Sequence, residues 1–485
     1  MRRSGRREFL KSVGLGLVSV AFGGCGGSGV FGGRKLKRPN ILFAIADDWS
    51  WPHASIAGDK VVKTPTFDKV ARDGVLFTNA FVSSPSCTPS RGAILTGQWH
   101  WRLEEGANLF STLDAKFKVY PDLLEEAGYH VGYTKKGWSP GNAKAAGRTR
   151  NPAGPRYGNF AKFLEARPQG KPFCYWFGSS DPHRGYKWQS GINSGMKLED
   201  VKVPACLADS EVTRTDICDY YWEVQRFDRQ VGEIIKQVEE MGELENTLVV
   251  ITSDNGMPFP RCKCNLYDMG THIPLAACWL GTVKGGRVVE DFVSLTDLAP
   301  TFLKAAGQKV PSEMTGRSFL NVLLSSKEGR VDSRRDKVFT GKERHVICRP
   351  DTGSYPIRAI RTREYLYIRN FKPERWAMGE PEVKKGYWPA VPYGDMDASP
   401  TKTYMMEHKE EPGVAKLFKL GFLKRPLEEL YDLGKDPDEL NNVAADPKYA
   451  KVKAKLWAGL KAELMATGDP RVVGGGDAFD KYPWR

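Results

Sequence analysis

The sequence predicts an α/β chain with a doubly wound sheet, followed by a smaller C-terminal α+β part. Three observations carry this. Continuous apolar runs end in polar turns, as in PNILFAIADD, where Ile41 to Ala46 lead into Asp47 and Asp48, and NTLVVITSDNG, where Leu248 to Ile251 lead into Asp254, Asn255 and Gly256. Such runs suit central strands of a parallel sheet. Helical patterns separate them, and alternating strands and helices imply a doubly wound domain. Past residue 345 the pattern changes to the alternation of antiparallel strands in YPIRAIRTREYLYIRNF.

Taken in order, the chain opens on RREFLKSVGLGLVSVAFGGC, with paired arginines, Phe9-Leu10, Lys11 and a short apolar stretch ending at Cys25. This reads as a twin-arginine export signal over residues 1–37, with delivery to the periplasm, the membrane or the exterior. FGGC is an imperfect lipobox, so Cys25 is the candidate for a lipid anchor and the expected route to any membrane. YPDLLEEAG reads as a helix closing on Gly128. Residues 215–241 place Ile217, Tyr221, Val224, Phe227, Val231, Ile234 and Met241 at helical spacing. TDLAPTFLKAAG opens with a capping Thr or Asp and stops at Gly307. LEELYDLGKDPDELNNVA reads as a strand and a turn before a last helix over 447–466. RWAMGEPEVKKGYWPAVPYGD is a long loop near the cleft, and GGGDAFDKYPWR is left without a role.

At 485 residues the chain is long enough for two domains and a large core. Of the formal net charge of +14, nine basic residues against the single Glu8 before residue 39 supply more than half. The modest positive remainder fits an anionic polymer substrate, and no motif for reading RNA or DNA is present, so nucleic acid is not an expected partner. Setting aside Cys25 and Cys87 leaves seven cysteines of nine, an odd number that cannot all pair. Cys262 and Cys264 lack a second pair at zinc-ribbon spacing, and most of the cysteines are expected to be small core residues.

Ligands bind doubly wound sheets at the carboxyl ends of the strands. Four stretches end in chemistry there: Asp47 and Asp48, Asp254 and Asn255, Lys135 and Lys136 after HVGYT, and Asp181 and His183 after KPFCYWFGSS. The acids and the amide make an oxygen-rich set suited to calcium or magnesium. In SPSCTPSRGAILTG a thiol stands at the mouth of a helix, with Pro89 in its first turn and Arg91 one turn on from Cys87. A hard dication is a poor match for a thiolate, so Cys87 beside such a cation needs an explanation.

CTPSR resembles the Cys-x-Pro-Ser-Arg motif of the type I sulfatases, in the alkaline phosphatase superfamily. The likeness runs from Pro39 to about residue 310, with Asp47-Asp48, the Cys87 motif, Lys136, DPH at 181–183, and TSDNG followed by Lys263 in family order. DPHRG, TLVVITSDNGMPFP and NLYDMGT are closest to the N-sulfoglucosamine sulfohydrolase (heparan N-sulfatase) branch and its bacterial relatives. The resemblance implies a mixed sheet over 38–345 and a C-terminal subdomain over 346–485 with a four-stranded antiparallel sheet. It also implies that a maturation enzyme oxidises Cys87 to formylglycine, whose hydrate is both an oxygen ligand and the nucleophile toward sulfur. The cation, calcium with magnesium as the alternative, is then held by Asp47, Asp48, Asp254, Asn255 and the modified Cys87. Arg91 orients the diol, Lys136 and Lys263 clamp sulfate, and His183 protonates the leaving group. The implied substrate is a sulfated polysaccharide or oligosaccharide, as sulfate ester or sulfamate. A phosphodiester or phosphonate monoester hydrolase and a non-catalytic glycan-binding lipoprotein are the rival readings.

One departure stands out. Where the family reads Gly-Lys-x-His, this chain reads KKGW, which puts Trp138 in the histidine's place, and indole accepts no proton. Trp138 is therefore expected either to stack on a sugar or to pack. His272, Arg344 and His345 are further candidates for the substrate side, and Asp181 is read as shaping a turn.

Overall fold

The computed structural model describes residues 37–485, with the backbone of two short strands, Val30–Phe31 and Arg34–Lys35, ahead of them. The twin-arginine stretch and Cys25 lie outside the described residues. Among the described residues, no helix is long and apolar enough to cross a membrane.

The large sheet has seven strands: β1 (Asn40–Ala46), β2 (Val75–Phe77), β3 (His130–Lys135), β4 (Phe173–Gly178), β5 (Thr247–Ser253), β6 (Leu275–Cys278) and β7 (Arg287–Val289). Their order is β7-β2-β6-β5-β1-β4-β3. Neighbours run parallel except at β6, which is antiparallel to both β2 and β5. The sheet is thus mixed, with the predicted apolar runs β1 and β5 paired at its centre.

Alternation along β1 splits the core in two. Leu42, Ala44 and Ala46 face a core shared with α1 (Pro65–Asp73), α4 (Phe160–Glu165) and the long α5 (Glu211–Glu240). Ile41, Phe43 and Ile45 face the opposite core, built with α2 (Cys87–Thr96), α3 (Tyr120–Glu126) and α6 (Leu298–Ala305). Helix α5 starts four residues ahead of the predicted start at 215, because Ser210 caps it by accepting from the Thr213 amide at 3.1 Å. Gly128 and Gly307 lie just past the ends of α3 and α6 with φ of 87° and 73°, the left-handed conformation in which glycine is favoured. The eight cysteines among the described residues are all buried and free.

A second sheet has the order β8 (Lys337–Lys342), β9 (Ile357–Thr362), β10 (Tyr365–Asn370) and β11 (Glu428–Asp432), every pair antiparallel. Helix α7 (Ala450–Ala466) lays Leu456, Leu460 and Leu464 against it, in a core with Phe339, Ile360 and Leu430. The sheet begins ahead of residue 346, and its strands β9 and β10 are those read from alternation.

The long segment between β10 and β11 is tied down by charge. Asp395 is buried and accepts from Lys342 Nζ at 3.0 Å, Arg349 Nη2 at 2.6 Å and the Val346 amide at 3.1 Å. Burial pushes its carboxyl up, but Arg349 and Lys342 outweigh this and hold it well below the usual carboxylate range. Asp395→Ala leaves two buried cations without their partner, at a cost of about 3–5 kcal/mol. Thermal unfolding is expected to fall by roughly 5 °C or more. A variant melting within about 1 °C of the parent contradicts that assignment.

Candidate active site

The register of the large sheet assembles the site. Ala46 pairs with Ser253, so the residues that follow, Asp47 and Asp254, leave the sheet side by side. The ladder continues past the strand ends: the Asp47 amide donates to Asp181 O at 2.9 Å, the Asp254 amide to Ala46 O at 3.1 Å, and the Lys136 amide to Gly178 O at 2.8 Å. Gly178 permits the last contact, since a Cβ there would lie 1.7 Å from Lys136 O. Asp48 has φ of 79°, a region that short polar side chains tolerate, and its carboxylate is returned toward the same point.

Helix α2 brings the thiol. Cys87 is its first residue, and Sγ donates to Asp47 Oδ1 at 3.3 Å. Ligand atoms of Asp47, Asp48, Cys87 and Asp254 all lie within 4.8 Å of one another, and all four residues are buried. Arg91, one turn on, is fully buried; its Nε donates to Asp254 Oδ2 at 2.7 Å and its Nη1 to the Lys136 and Gly137 carbonyls. Lys136 Nζ pairs with Asp47, and Lys263 Nζ with Asp48 Oδ2 at 2.7 Å. Asn255 Nδ2 donates to Asp48 Oδ1 at 2.6 Å. Lys135, by contrast, turns away to Gln230, with Nζ 2.6 Å from Gln230 Oε1.

Charge in this cluster is tight. For Asp47, burial is outweighed by Lys136, His183, Arg91 and Lys263, and its carboxyl sits well below the usual range. For Asp254, burial and the neighbouring Asp47 prevail over Arg91 and Lys136, and its carboxyl is pushed up to about 6. Burial, then Asp47, pushes the Cys87 thiol well above its ordinary value. A thiol so held is a poor nucleophile as it stands.

The residues fit a hard cation. Three carboxylates converge with their oxygens buried, and Asn255 Oδ1 is buried without a hydrogen-bond partner, a free carbonyl-type ligand beside them. Arg91 Nη2 is likewise buried without a partner, 3.9 Å from Asp47 Oδ1. It is a donor available to an oxygen standing where the thiol now lies.

Above the cluster lies a cleft of about 720 Å³, lined near its floor by Asp47, Cys87, Lys136, Lys263, His183 and His345. His183 Nδ1 lies 2.6 Å from Arg184 O, which can only accept; the proton is therefore on Nδ1 and Nε2 is open. Nε2 is 4.0 Å from Asp48 Oδ2. His345 Nδ1 lies 2.8 Å from the hydroxyl of Ser86, the residue capping α2.

Three sequence candidates lie elsewhere. Trp138 is buried in the α2-side core, with its indole nitrogen unpartnered and its backbone bound to Asn151, so it packs rather than stacking on a sugar. Its flat ring fits against Gly92 of α2, where a Cβ would lie 3.5 Å from the indole nitrogen. His272 is stacked between Trp51 and Phe81 and bonded to Thr78 O, and Arg344 is buried and bonded to Pro483 O; neither lines the cleft. Asp181 does line it, with its carboxylate engaged by Arg226 and Gln230.

Sequence reasoning missed Asp397. It lines the cleft 3.3 Å from Lys263 Nζ. Burial pushes it up, but Lys263, His183 and His345 prevail and hold its carboxyl at about 2. The only signal was an acid two residues ahead of the helix-capping Ser399, which reads as ordinary capping chemistry.

The family model "Sulfatase" matches residues 39–153 and 156–308, and "N-sulphoglucosamine sulphohydrolase, C-terminal" matches 262–382. An ulvan-active sulfatase of Formosa agariphila is 30% identical over 451 residues, covering 89% of this chain and 81% of that protein. Human N-sulphoglucosamine sulphohydrolase is 29% identical over 502 residues, covering 91% and 93%. In fold, the chain resembles a protein solved with its substrate D-glucosamine-2-N,6-O-disulfate, with TM-score 0.64, 20% identity, and 89% and 99% of the two chains covered. The chain belongs to the sulfatase family and is a sulfuric ester hydrolase.

Proposed function

We propose that this protein is an exported sulfatase that removes sulfate from a sulfated glycan, using a formylglycine made from Cys87 and a divalent cation, calcium ahead of magnesium. One observation carries the reading: the ends of two neighbouring parallel strands, β1 and β5, and the mouth of α2 bring three carboxylates and an amide to a single buried thiol, with Arg91 and two lysines packed beside them.

Asp47, Asp48, Asp254, Asn255 and the modified Cys87 would hold the cation, which when bound supplies Lewis acidity and a counter-charge for sulfate oxygens. Conversion of Cys87 replaces a soft, protonated thiol with hard oxygen, which removes the mismatch with such an ion. Arg91, pinned by Asp254 and two carbonyls, offers its free Nη2 to that oxygen. Lys263 is a buried ammonium group and Lys136 a partly buried one, each paired with a site carboxylate, so their charge is fixed in place before reaction and stabilises charge growing on sulfate oxygens without reorganising. His183, held in one tautomer by Arg184 O, presents Nε2 to the cleft and, when protonated, delivers that proton to the leaving oxygen or nitrogen.

The glycan is supported by the relatives, an ulvan-active sulfatase and an N-sulphoglucosamine sulphohydrolase. Export rests on the twin-arginine stretch, and a lipid anchor on Cys25. We place the leader at 1–37, the catalytic unit at 38–345 and the C-terminal subdomain at 346–485, and a formylglycine-generating enzyme is the required maturation partner.

The test is inorganic sulfate release from heparin-derived and ulvan-derived oligosaccharides, with bis(4-nitrophenyl) phosphate as the competing substrate. Faster turnover of a sulfated glycan than of the phosphodiester is expected. A higher rate on the phosphodiester than on every sulfate overturns the reading in favour of a phosphate-ester hydrolase.

A further inference from the structure

The cleft has an aromatic rim assembled from three distant parts of the chain. Trp388 lines the cleft with half of its surface (51%) exposed, an uncommon state for so large an apolar ring beside a polar pocket. Phe110, also in the lining, meets it edge-on at 5.0 Å. Trp484 stacks on Phe110 at 4.3 Å and lies 5.5 Å from Trp388. Leu109 and Val346 continue this apolar surface down to Cys87.

Backbone and side-chain contacts hold the rings in place. The Trp388 amide donates to Ile347 O at 2.8 Å, and Asp395 holds the same loop from beneath. The Arg485 amide donates to Phe110 O at 2.8 Å, Arg485 Nε pairs with Glu105 at 3.0 Å, and Arg344 holds Pro483 O. The aromatic tail that had no role in the sequence is thereby stapled against the back of Phe110.

An exposed indole rigidly backed by two further rings, at the mouth of a pocket whose floor is charged, matches a ligand that is ionic at one point and presents an apolar C–H face next to it. A pyranose ring has such a face. We propose that Trp388, held by Phe110 and Trp484, is a stacking platform for the sugar next to the one that carries the sulfate, so that the site takes an oligosaccharide or polymer in preference to a single sulfated sugar. This rests on the glycan sulfatase reading. Trp484 is a positioning residue, acting through Phe110.

The experiment measures binding without turnover, by calorimetry in the Cys87→Ala background, with sulfated tetrasaccharides from heparin and from ulvan and with N-sulfated glucosamine as the single sugar. Trp388→Ala is expected to weaken the better tetrasaccharide about tenfold, with a change under about twofold for the single sugar. Trp484→Ala is expected to weaken the tetrasaccharide about threefold, and Trp484→Phe to restore it. A change of less than about twofold for the tetrasaccharide, an equal loss for the single sugar, or no binding of either tetrasaccharide overturns the platform. Tetrasaccharide binding that depends on Trp388, alongside a parent protein with Cys87 intact and matured that releases no sulfate from any of these sugars, supports the platform and removes the sulfatase reading, so the two fail separately.

Discussion

Cys87→Ala is expected to lower sulfate release by about 10⁴-fold or more while the protein stays folded. The magnitude follows from the site's design. Every other group around Cys87 binds, orients or neutralises: Arg91, Lys136 and Lys263 carry fixed positive charge, and the acids are tied to them. None of these replaces a nucleophile, and removing one leaves only the residual effect of binding and charge. Stability is a separate matter. The thiol makes a single side-chain hydrogen bond, to Asp47, which retains Lys136 as a partner. Alanine keeps the helical backbone of α2 and vacates little more than one atom, so the melting temperature is expected to move by no more than about 2–3 °C. The pair of measurements is steady-state sulfate release and thermal unfolding. Undiminished turnover in the variant would place the nucleophile elsewhere and sink the proposed chemistry.

Asp254→Asn is expected to cost about 10³-fold in turnover, and chelation of the parent protein a comparable amount, reversed by added calcium. Asp254 has two duties. Its Oδ2 receives Arg91 Nε and its Oδ1 receives the Asp48 amide at 3.2 Å, while its carboxylate also offers an oxygen to the acidic cluster. Asparagine is near in shape but removes one of three carboxylates and leaves Arg91 without its closest counter-charge. A readout independent of activity comes from stability. A ligand that binds only the folded state at 100 times its Kd adds about 2.7 kcal/mol, which is several degrees of melting temperature. Calcium is expected to raise the parent's melting temperature by such an amount, and to do so far less in Asp254→Asn. Equal stabilisation of both proteins would mean that the cation binds somewhere else.

How far the sequence reaches depends on how local the signal is. Strands β1 and β5 were legible because each is a continuous apolar run, Ile41 to Ala46 and Leu248 to Ile251, closed by polar turn residues that told where the site lies. Helices α3 and α6 were legible through the glycines that stop them. Lys136 was singled out by counting from AGYHVGYT and His183 by the DPH motif in family order. Asp397, Phe110 and Trp388 were not legible as site residues, because they reach the cleft through tertiary contacts alone: an Asp395 knot, a stapled tail and a loop with no period of its own. Counting put Trp138 in the place of the family's histidine but said nothing of its surroundings. Only the fold shows that the indole packs in the core against Gly92 of α2. Arg344 and His345 are adjacent in sequence, yet one is buried against the tail and the other lines the cleft, a difference that a residue list does not contain.

The central claim is that Cys87 is the precursor of the nucleophile. Its most direct test is a mass spectrum of the tryptic peptide Asp73 to Arg91, from protein produced in a host that matures sulfatases. The account predicts a peptide that has lost sulfur and two hydrogens and gained one oxygen, the change from thiol to aldehyde. A peptide that remains an unmodified thiol, while a known sulfatase in the same host is converted, contradicts it.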